Sequence, residues 1–250
     1  MSPPAAIPLF PQRLRRPWLA GLLALLLPLS ATAQGVPVDP ARDAAMREAI
    51  AAAQRGRLDP ARAEALRQDP RWPWLEYAML AYDLDNADPA RVRGFLQRYD
   101  GQAVAATLRA QWLASLARRQ RWSELLADWR PVEDPALRCA RLNALHALDR
   151  VDAAWIAEAR ELWRSGKSRP DACDATFAAL AARGGLDDTL RWECFDLAVA
   201  EGETGVARAA TRGLAEPARR LADAYIAFLQ APDTRVSAWP RDARSRKVAA

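Results

Sequence analysis

Asp-Pro pairs, most visibly Asp39-Pro40, Asp59-Pro60, Asp88-Pro89 and Asp134-Pro135, punctuate a chain whose apolar residues otherwise recur at helical spacing. An aspartate placed there can accept from the free amides of a first helical turn. Proline fits the next position because its missing N–H had no partner to lose. Between the breaks run Trp72, Leu75, Met79 and Tyr82; Val104, Leu108, Trp112 and Leu116; Trp155, Ala159 and Leu162; and Leu221, Tyr225, Phe228 and Leu229. Each set is one face of an amphipathic helix. Alanine, leucine and arginine dominate, whereas valine, isoleucine, threonine and tyrosine, which suit a pleated sheet, are scarce. The chain is predicted to be all-α.

Taken in order, these signals predict about a dozen helices, near 42–54, 60–68, 72–84, 89–98, 102–118, 121–129, 135–148, 151–164, 172–182, 187–200, 203–213 and 216–229. Links this short force neighbouring helices to pack antiparallel, and pairs of roughly 30 residues fall in the size range of tetratricopeptide-like solenoids. The strict repeat consensus is not visible, so the expectation is irregular helical hairpins stacked into a right-handed α-superhelix. Trp239-Pro240-Arg241-Asp242 reads as another helix start, and Arg244 to Ala250 runs on without a stop signal or a polar capping repeat. Residues 34–250 are therefore expected to be part of a superhelical domain that stops in mid-repeat.

Residues 1–33 read as a signal peptide. Arg13, Arg15 and Arg16 form a basic start, Trp18 to Leu29 an apolar run, and Ala31-Thr32-Ala33 the small residues before a cut between Ala33 and Gln34. The run is shorter than the roughly 20 residues a spanning helix needs, and Pro28 interrupts it, so no stable membrane anchor is expected. The expected compartment is the periplasm. Removing the leader takes three arginines and no acid, leaving 33 basic and 31 acidic residues. The arginines that remain are interleaved with aspartate and glutamate, which argues against a nucleic-acid partner.

Export permits disulfides. Cys139, Cys173 and Cys194 allow three single pairings. Cys194 sits in the stripe Leu190, Cys194, Leu197 and Ala198, where a cysteine usually behaves as a small buried hydrophobe. Cys173 follows the loop Gly166-Lys167-Ser168-Arg169-Pro170, and pairing it with Cys139 would tie that loop to an earlier helix. That bridge is the preferred one.

Little in the chain points to catalysis. A single histidine, His146, rules out HExxH zinc sites and most multi-histidine centres. It lies among Leu142, Leu145 and Leu148 without a nucleophile at useful spacing. The acid pairs Asp83 and Asp85, Asp187 and Asp188, and Glu201 and Glu203 fall at helix ends, where acids cap amides or face water. Gly184-Gly185 and Gly166-Lys167-Ser168 lack the strand and the glycine spacing of a phosphate loop. The ten tryptophans are the most unusual count, because indole faces stack on sugars as readily as they fill cores. Trp72, Trp112, Trp129, Trp163 and Trp192 fall with the packing faces, whereas Trp74 and Trp122 are the least committed to them and are the candidates for glycan contact.

Two stretches are more specific. Glu161-Leu162-Trp163-Arg164-Ser165-Gly166-Lys167-Ser168-Arg169-Pro170-Asp171-Ala172-Cys173-Asp174 closely resembles a segment of the Slt-type soluble lytic murein transglycosylases, and Trp72-Pro73-Trp74-Leu75-Glu76-Tyr77 resembles an early helix of the same family. Asp134-Pro135-Ala136-Leu137-Arg138-Cys139 falls between them in the family's order. The resemblance implies a periplasmic protein whose N-terminal α-superhelix curls into a ring, followed by a lysozyme-like domain. That domain cleaves the β-1,4 bond between N-acetylmuramic acid and N-acetylglucosamine and closes a 1,6-anhydro ring, with one glutamate as acid and then base, so the resemblance implies that no metal or organic cofactor is expected. It also implies a bridge between Cys139 and Cys173.

The family's Glu-Ser and Gly-Leu-Met-Gln strings occur nowhere in the 250 residues. The expectation is therefore a partial ring that positions murein glycan strands, inactive alone, whose partner is its own C-terminal catalytic domain. The alternative is a non-enzymatic periplasmic helical scaffold that binds proteins on its concave face. A glycosidase built on the acid pairs is a third reading.

Overall fold

A computed structural model of the chain describes residues 39–231. The leader, its cut between Ala33 and Gln34, and the expected helix start at Trp239 lie outside the described residues. Among the described residues there is no strand, and the helices are α1 (Pro40–Ala53), α2 (Pro60–Ala65), α3 (Trp72–Ala81), α4 (Pro89–Arg98), α5 (Ala103–Arg118), α6 (Trp122–Asp128), α7 (Pro135–Ala147), α8 (Ala153–Trp163), α9 (Asp174–Ala182), α10 (Asp188–Ala200), α11 (Thr204–Ala210) and α12 (Glu216–Gln230). Short 3-10 turns stand at Leu84–Asn86 and Asp171–Cys173. No helix among the described residues is long and apolar enough to cross a membrane.

The aspartates open helices as their spacing predicts. Asp59 accepts from the amide of Ala61 at 3.0 Å, Asp88 from Ala90 at 2.9 Å and Asp134 from Leu137 at 3.0 Å, each with proline next in the chain. Asp152 and Asp187 cap α8 and α10 in the same way without a proline. Each such cap is worth about 1 kcal/mol.

The core runs along the chain as successive local clusters. Met46, Ala49, Leu66 and Leu75 join α1, α2 and α3. Phe95, Leu108, Trp112 and Leu116 centre a second cluster that extends from α3 to α7. Leu142, Trp155, Leu162 and Leu180 join α7, α8 and α9. Phe195, Ala198, Ala207, Ala222 and Ile226 join α10, α11 and α12. Each cluster is built from helices near one another in sequence, the organisation of a solenoid, whose units bury their apolar faces against neighbours rather than around one centre. Helix α7 contributes to two clusters, Leu137, Ala140 and Ala144 on one side and Cys139 and Leu142 on the other. Trp163, from the end of α8, packs on the fourth cluster while its ring meets Phe177 of α9 edge-on at 5.0 Å.

Four predicted apolar positions turn outward, one of them on α12, where Ile226 is buried and Leu229 is exposed. On α3 the buried face is Leu75, Ala78 and Leu80, and Met79 and Tyr82 are exposed. On α10 Phe195 rather than Leu197 enters the core, and Leu197 is exposed. In α3 and α10 an alanine lies on the packed face, Ala78 and Ala198, where its small side chain allows close helix approach, and the bulkier neighbour is left in solvent.

Candidate functional site

The loop between α8 and α9 carries the segment most specific to the family resemblance. Arg169 Nε donates to the carbonyl of Leu162 at 2.8 Å, folding the loop back on the end of α8. Ser165 Oγ accepts from the amide of Lys167 at 3.1 Å and closes a tight turn around Gly166. A Cβ on Gly166 would stand 2.5 Å from the carbonyl oxygen of Leu197, so α10 lies directly against the loop backbone. The Cys194 thiol donates to the Ser165 carbonyl at 3.2 Å, and burial pushes its pKa up, which keeps it a neutral thiol. Lys167 and Glu201 pair at 3.2 Å above the same contact.

At the other end of the loop, Cys173 is disulfide-bonded to Cys139 of α7, with Cα atoms 4.9 Å apart. Asn143 Nδ2 donates to the Ala172 carbonyl at 2.7 Å, and the Thr176 hydroxyl donates to Asn143 Oδ1 at 2.7 Å. Thr176 and both half-cystines are inaccessible to solvent. The segment is thus a clamp that holds α7, α8, α9 and α10 in register. Its glycine, serine and lysine serve packing and a turn, and the element before them is a helix.

The candidate glycan aromatics are on different elements. Trp74, near the start of α3, is 42% exposed and meets Tyr77 edge-on at 5.8 Å. Trp122 opens α6 and is partly buried against the second cluster. Trp112 and Trp155 are fully buried, their indole N–H groups donating to Asp128 and to the Leu142 carbonyl, each at 2.8 Å. Trp72, Trp129, Trp163 and Trp192 pack partly buried against the core clusters.

Four of the six paired acids, Asp83, Asp85, Asp187 and Glu201, and the histidine are engaged with the fold. Asp85 accepts from the Ser115 hydroxyl at 2.6 Å and from Arg118 at 2.8 Å, and these contacts, Ser115 foremost, lower its pKa. Asp187 caps α10 and pairs with Arg160, which lowers its pKa too. Asp83 accepts from Asn86, and Glu201 pairs with Lys167. His146 lies in the last turn of α7, 3.4 Å from a guanidinium nitrogen of Arg183 and edge-on to Trp155 at 6.2 Å. Among the described residues no group of His, Cys, Asp and Glu side chains could hold a metal ion.

A cleft that periodicity did not single out lies where α4, α5 and the end of α6 meet. Its cavity, about 350 Å³, is lined by Arg93, Leu96, Asp100, Arg109, Asp128 and Arg130. An adjoining cavity of about 350 Å³ shares Asp100, Arg109 and Arg130 with it. Arg109 Nη1 donates at 3.2 Å to the carbonyl of Asp128, which as the last residue of α6 has no helical partner for that oxygen.

An all-α solenoid of antiparallel hairpins, stapled by one disulfide and holding no metal-binding constellation among its described residues, is the class that fold and site define. No protein-family model matches the sequence. The soluble lytic murein transglycosylase of Escherichia coli K12 is 32% identical over 172 residues, which are 68% of this chain and 26% of that protein. Its Salmonella typhimurium counterpart is 32% identical over 171 residues, 67% and 26% of the two chains. Among solved structures, the 70-kDa soluble lytic transglycosylase of E. coli superposes with a TM-score of 0.71 at 27% identity, covering 84% of this chain and 34% of that one. The complex of the 70-kDa soluble lytic transglycosylase with bulgecin A gives 0.71 at 25% identity, covering 84% and 35%. Over most of its length the chain is similar to the soluble lytic murein transglycosylases, and it shares their α-superhelix. It spans about a quarter of the length of the curated relatives it matches.

Proposed function

We propose that this chain is the N-terminal superhelical region of an exported lytic murein transglycosylase, a partial ring that positions murein strands for a catalytic domain not contained in these 250 residues. The observation that carries the reading is the extent of the match, which takes in most of this chain and about a third of the 70-kDa enzyme. The sequence adds to it, because the Glu-Ser and Gly-Leu-Met-Gln strings expected around a catalytic glutamate are absent. Residues 1–33 serve as the leader in this reading, and the working compartment is the periplasm.

The 250-residue chain incubated with purified sacculi should co-sediment with them and release no 1,6-anhydro-muropeptides. Release of anhydro products would place catalysis within this chain and overturn the division of labour. Failure to co-sediment would remove murein as the partner. Amino-terminal sequencing of the protein from a periplasmic extract should begin at Gln34.

A further inference from the structure

We propose that the cleft between α4, α5 and the end of α6 binds a carboxylate, with Arg109 and Arg130 as donors, and that the carboxylate belongs to the short peptides carried on murein strands. The inference rests on the murein reading above and assigns to it a specific contact.

The charge balance of the cleft carries the argument. Asp128 is its most enclosed acid, with a side chain 9% exposed, and both carboxylate oxygens are already engaged. Oδ1 accepts from Arg93 Nε at 2.8 Å and Oδ2 from the buried Trp112 indole at 2.8 Å. Asp128 is therefore not available to neutralise further cations. Asp100 is 76% exposed and comes only within 3.8 Å of Arg109. Arg109, by contrast, has a side chain only 15% exposed and is fixed by its bond to the Asp128 carbonyl, with its remaining N–H groups beside the shared cavity. Arg130 is exposed on the same cavity and makes no side-chain hydrogen bond or ion pair among the described residues.

Two guanidinium groups facing one loosely held acid leave one uncompensated positive charge. That suits a monovalent planar carboxylate, which a guanidinium fork binds through paired N–H donors, better than a divalent phosphate. The pre-set position of Arg109 lowers the ordering cost of binding. Two cavities joined at this pair leave room for the peptide that carries the acid.

The test is co-sedimentation of the 250-residue chain with sacculi over a concentration series, for wild type, Arg130→Glu and Arg91→Glu. Arg91 is an exposed arginine in a separate groove between α3 and α4, so its reversal makes the same change in net charge away from the cleft. Neither substitution breaks a side-chain hydrogen bond or ion pair among the described residues. Arg130→Glu should weaken binding about tenfold, the loss of a charge-assisted contact, while Arg91→Glu stays near wild type. Sacculi whose carboxyl groups have been capped as amides should bind wild type as weakly as native sacculi bind Arg130→Glu. Equal binding by wild type and Arg130→Glu overturns the inference and leaves the murein reading intact. Equal weakening by both reversals reduces the effect to general charge and also overturns it. Undiminished wild-type binding to capped sacculi overturns the carboxylate assignment, since a phosphate source would survive capping. No wild-type binding to native sacculi overturns the murein reading and this inference together.

Discussion

The indole N–H of Trp112 donates to the carboxylate of Asp128 at 2.8 Å, from a side chain with no exposed surface, so the end of α6 is latched to the middle of α5 through the second core cluster. Removing the acceptor leaves a buried donor unsatisfied, which costs about 1–3 kcal/mol. Asp128→Ala should therefore lower unfolding stability in urea by about 2 kcal/mol, with part of the loss coming from the Arg93 pair. Asp128→Asn keeps an acceptor for the indole and should recover most of the difference. An alanine variant indistinguishable from wild type would show that the latch contributes nothing.

Asp69, between α2 and α3, is the one buried acid among the described residues, its side chain 1% exposed, and two arginines hold it. It accepts from the backbone amide, Nε and Nη2 of Arg71, each at 2.9 Å, and from Arg42 Nε at 2.8 Å; Arg71 also pairs with Asp43. The Arg71 side-chain hydrogen bonds foremost hold the Asp69 carboxyl far below the usual carboxylate range, against the opposing effect of burial. A depressed folded-state pKa contributes stability that is fully present above the unfolded value, near about 4, and is lost as the pH falls below it. Unfolding midpoints should hold down to about pH 5 and then drop through the acid range. Asp69→Asn should be less stable at neutral pH and should converge on wild type in acid. Parallel pH curves for the two proteins would show that the ion cluster does not set the acid limit.

Much of this architecture is legible in the sequence because the signals are local. Asp59, Asp88 and Asp134 satisfy amides two or three residues ahead, so the helix starts follow from adjacent residues alone. Which face of a helix is buried is less local. Met79, Tyr82 and Leu197 fit their periodic stripes, yet tight packing favoured the alanine face, and that preference depends on a neighbouring helix. The cleft at Arg109 and Arg130 was not legible. These residues sit 21 positions apart, on α5 and in the α6–α7 link, and nothing in either neighbourhood marks them. The segment around Gly166 stood out for its resemblance, but its role as a clamp depends on α10, about thirty residues further on.

The disulfide between Cys139 and Cys173 closes a loop with a sequence separation of 34 and ties α7 to the start of α9. In the chain-entropy account, a cross-link over a loop of this length stabilises by about 3–4 kcal/mol, mainly by restricting the unfolded chain. Cys139→Ala combined with Cys173→Ala should lose stability in that range, measured as a shift in the urea midpoint with little change in slope. Adding a reductant should destabilise wild type and leave the double variant where it is. Because Cys194 is a buried thiol bonded to Ser165, Cys194→Ala should not prevent the bridge from forming, and mass spectrometry should find the 139–173 linkage intact. A double variant within about 1 kcal/mol of wild type would mean that α7, α8 and α9 hold together by packing alone.

Gly166 is the point where the clamp tolerates no side chain. An added Cβ would meet the Leu197 carbonyl oxygen at 2.5 Å and its carbon at 2.8 Å, both backbone atoms of α10 that cannot rotate away. The alternatives are to lift the loop or to shift α10. Lifting the loop disturbs the Ser165 carbonyl that Cys194 donates to, and shifting α10 loosens Phe195 and Ala198 in the fourth cluster. Gly166→Ala should therefore cost about 1–3 kcal/mol, as overpacking does elsewhere. Gly94 is the matched control, since it lies inside α4 with nothing within 4 Å of an added Cβ. There the better helix propensity of alanine acts alone, and Gly94→Ala should gain about 0.5–1 kcal/mol. Thermal unfolding of the two single variants beside wild type reads both signs, and a Gly166→Ala protein as stable as Gly94→Ala would mean that the loop does not lie against α10 in solution.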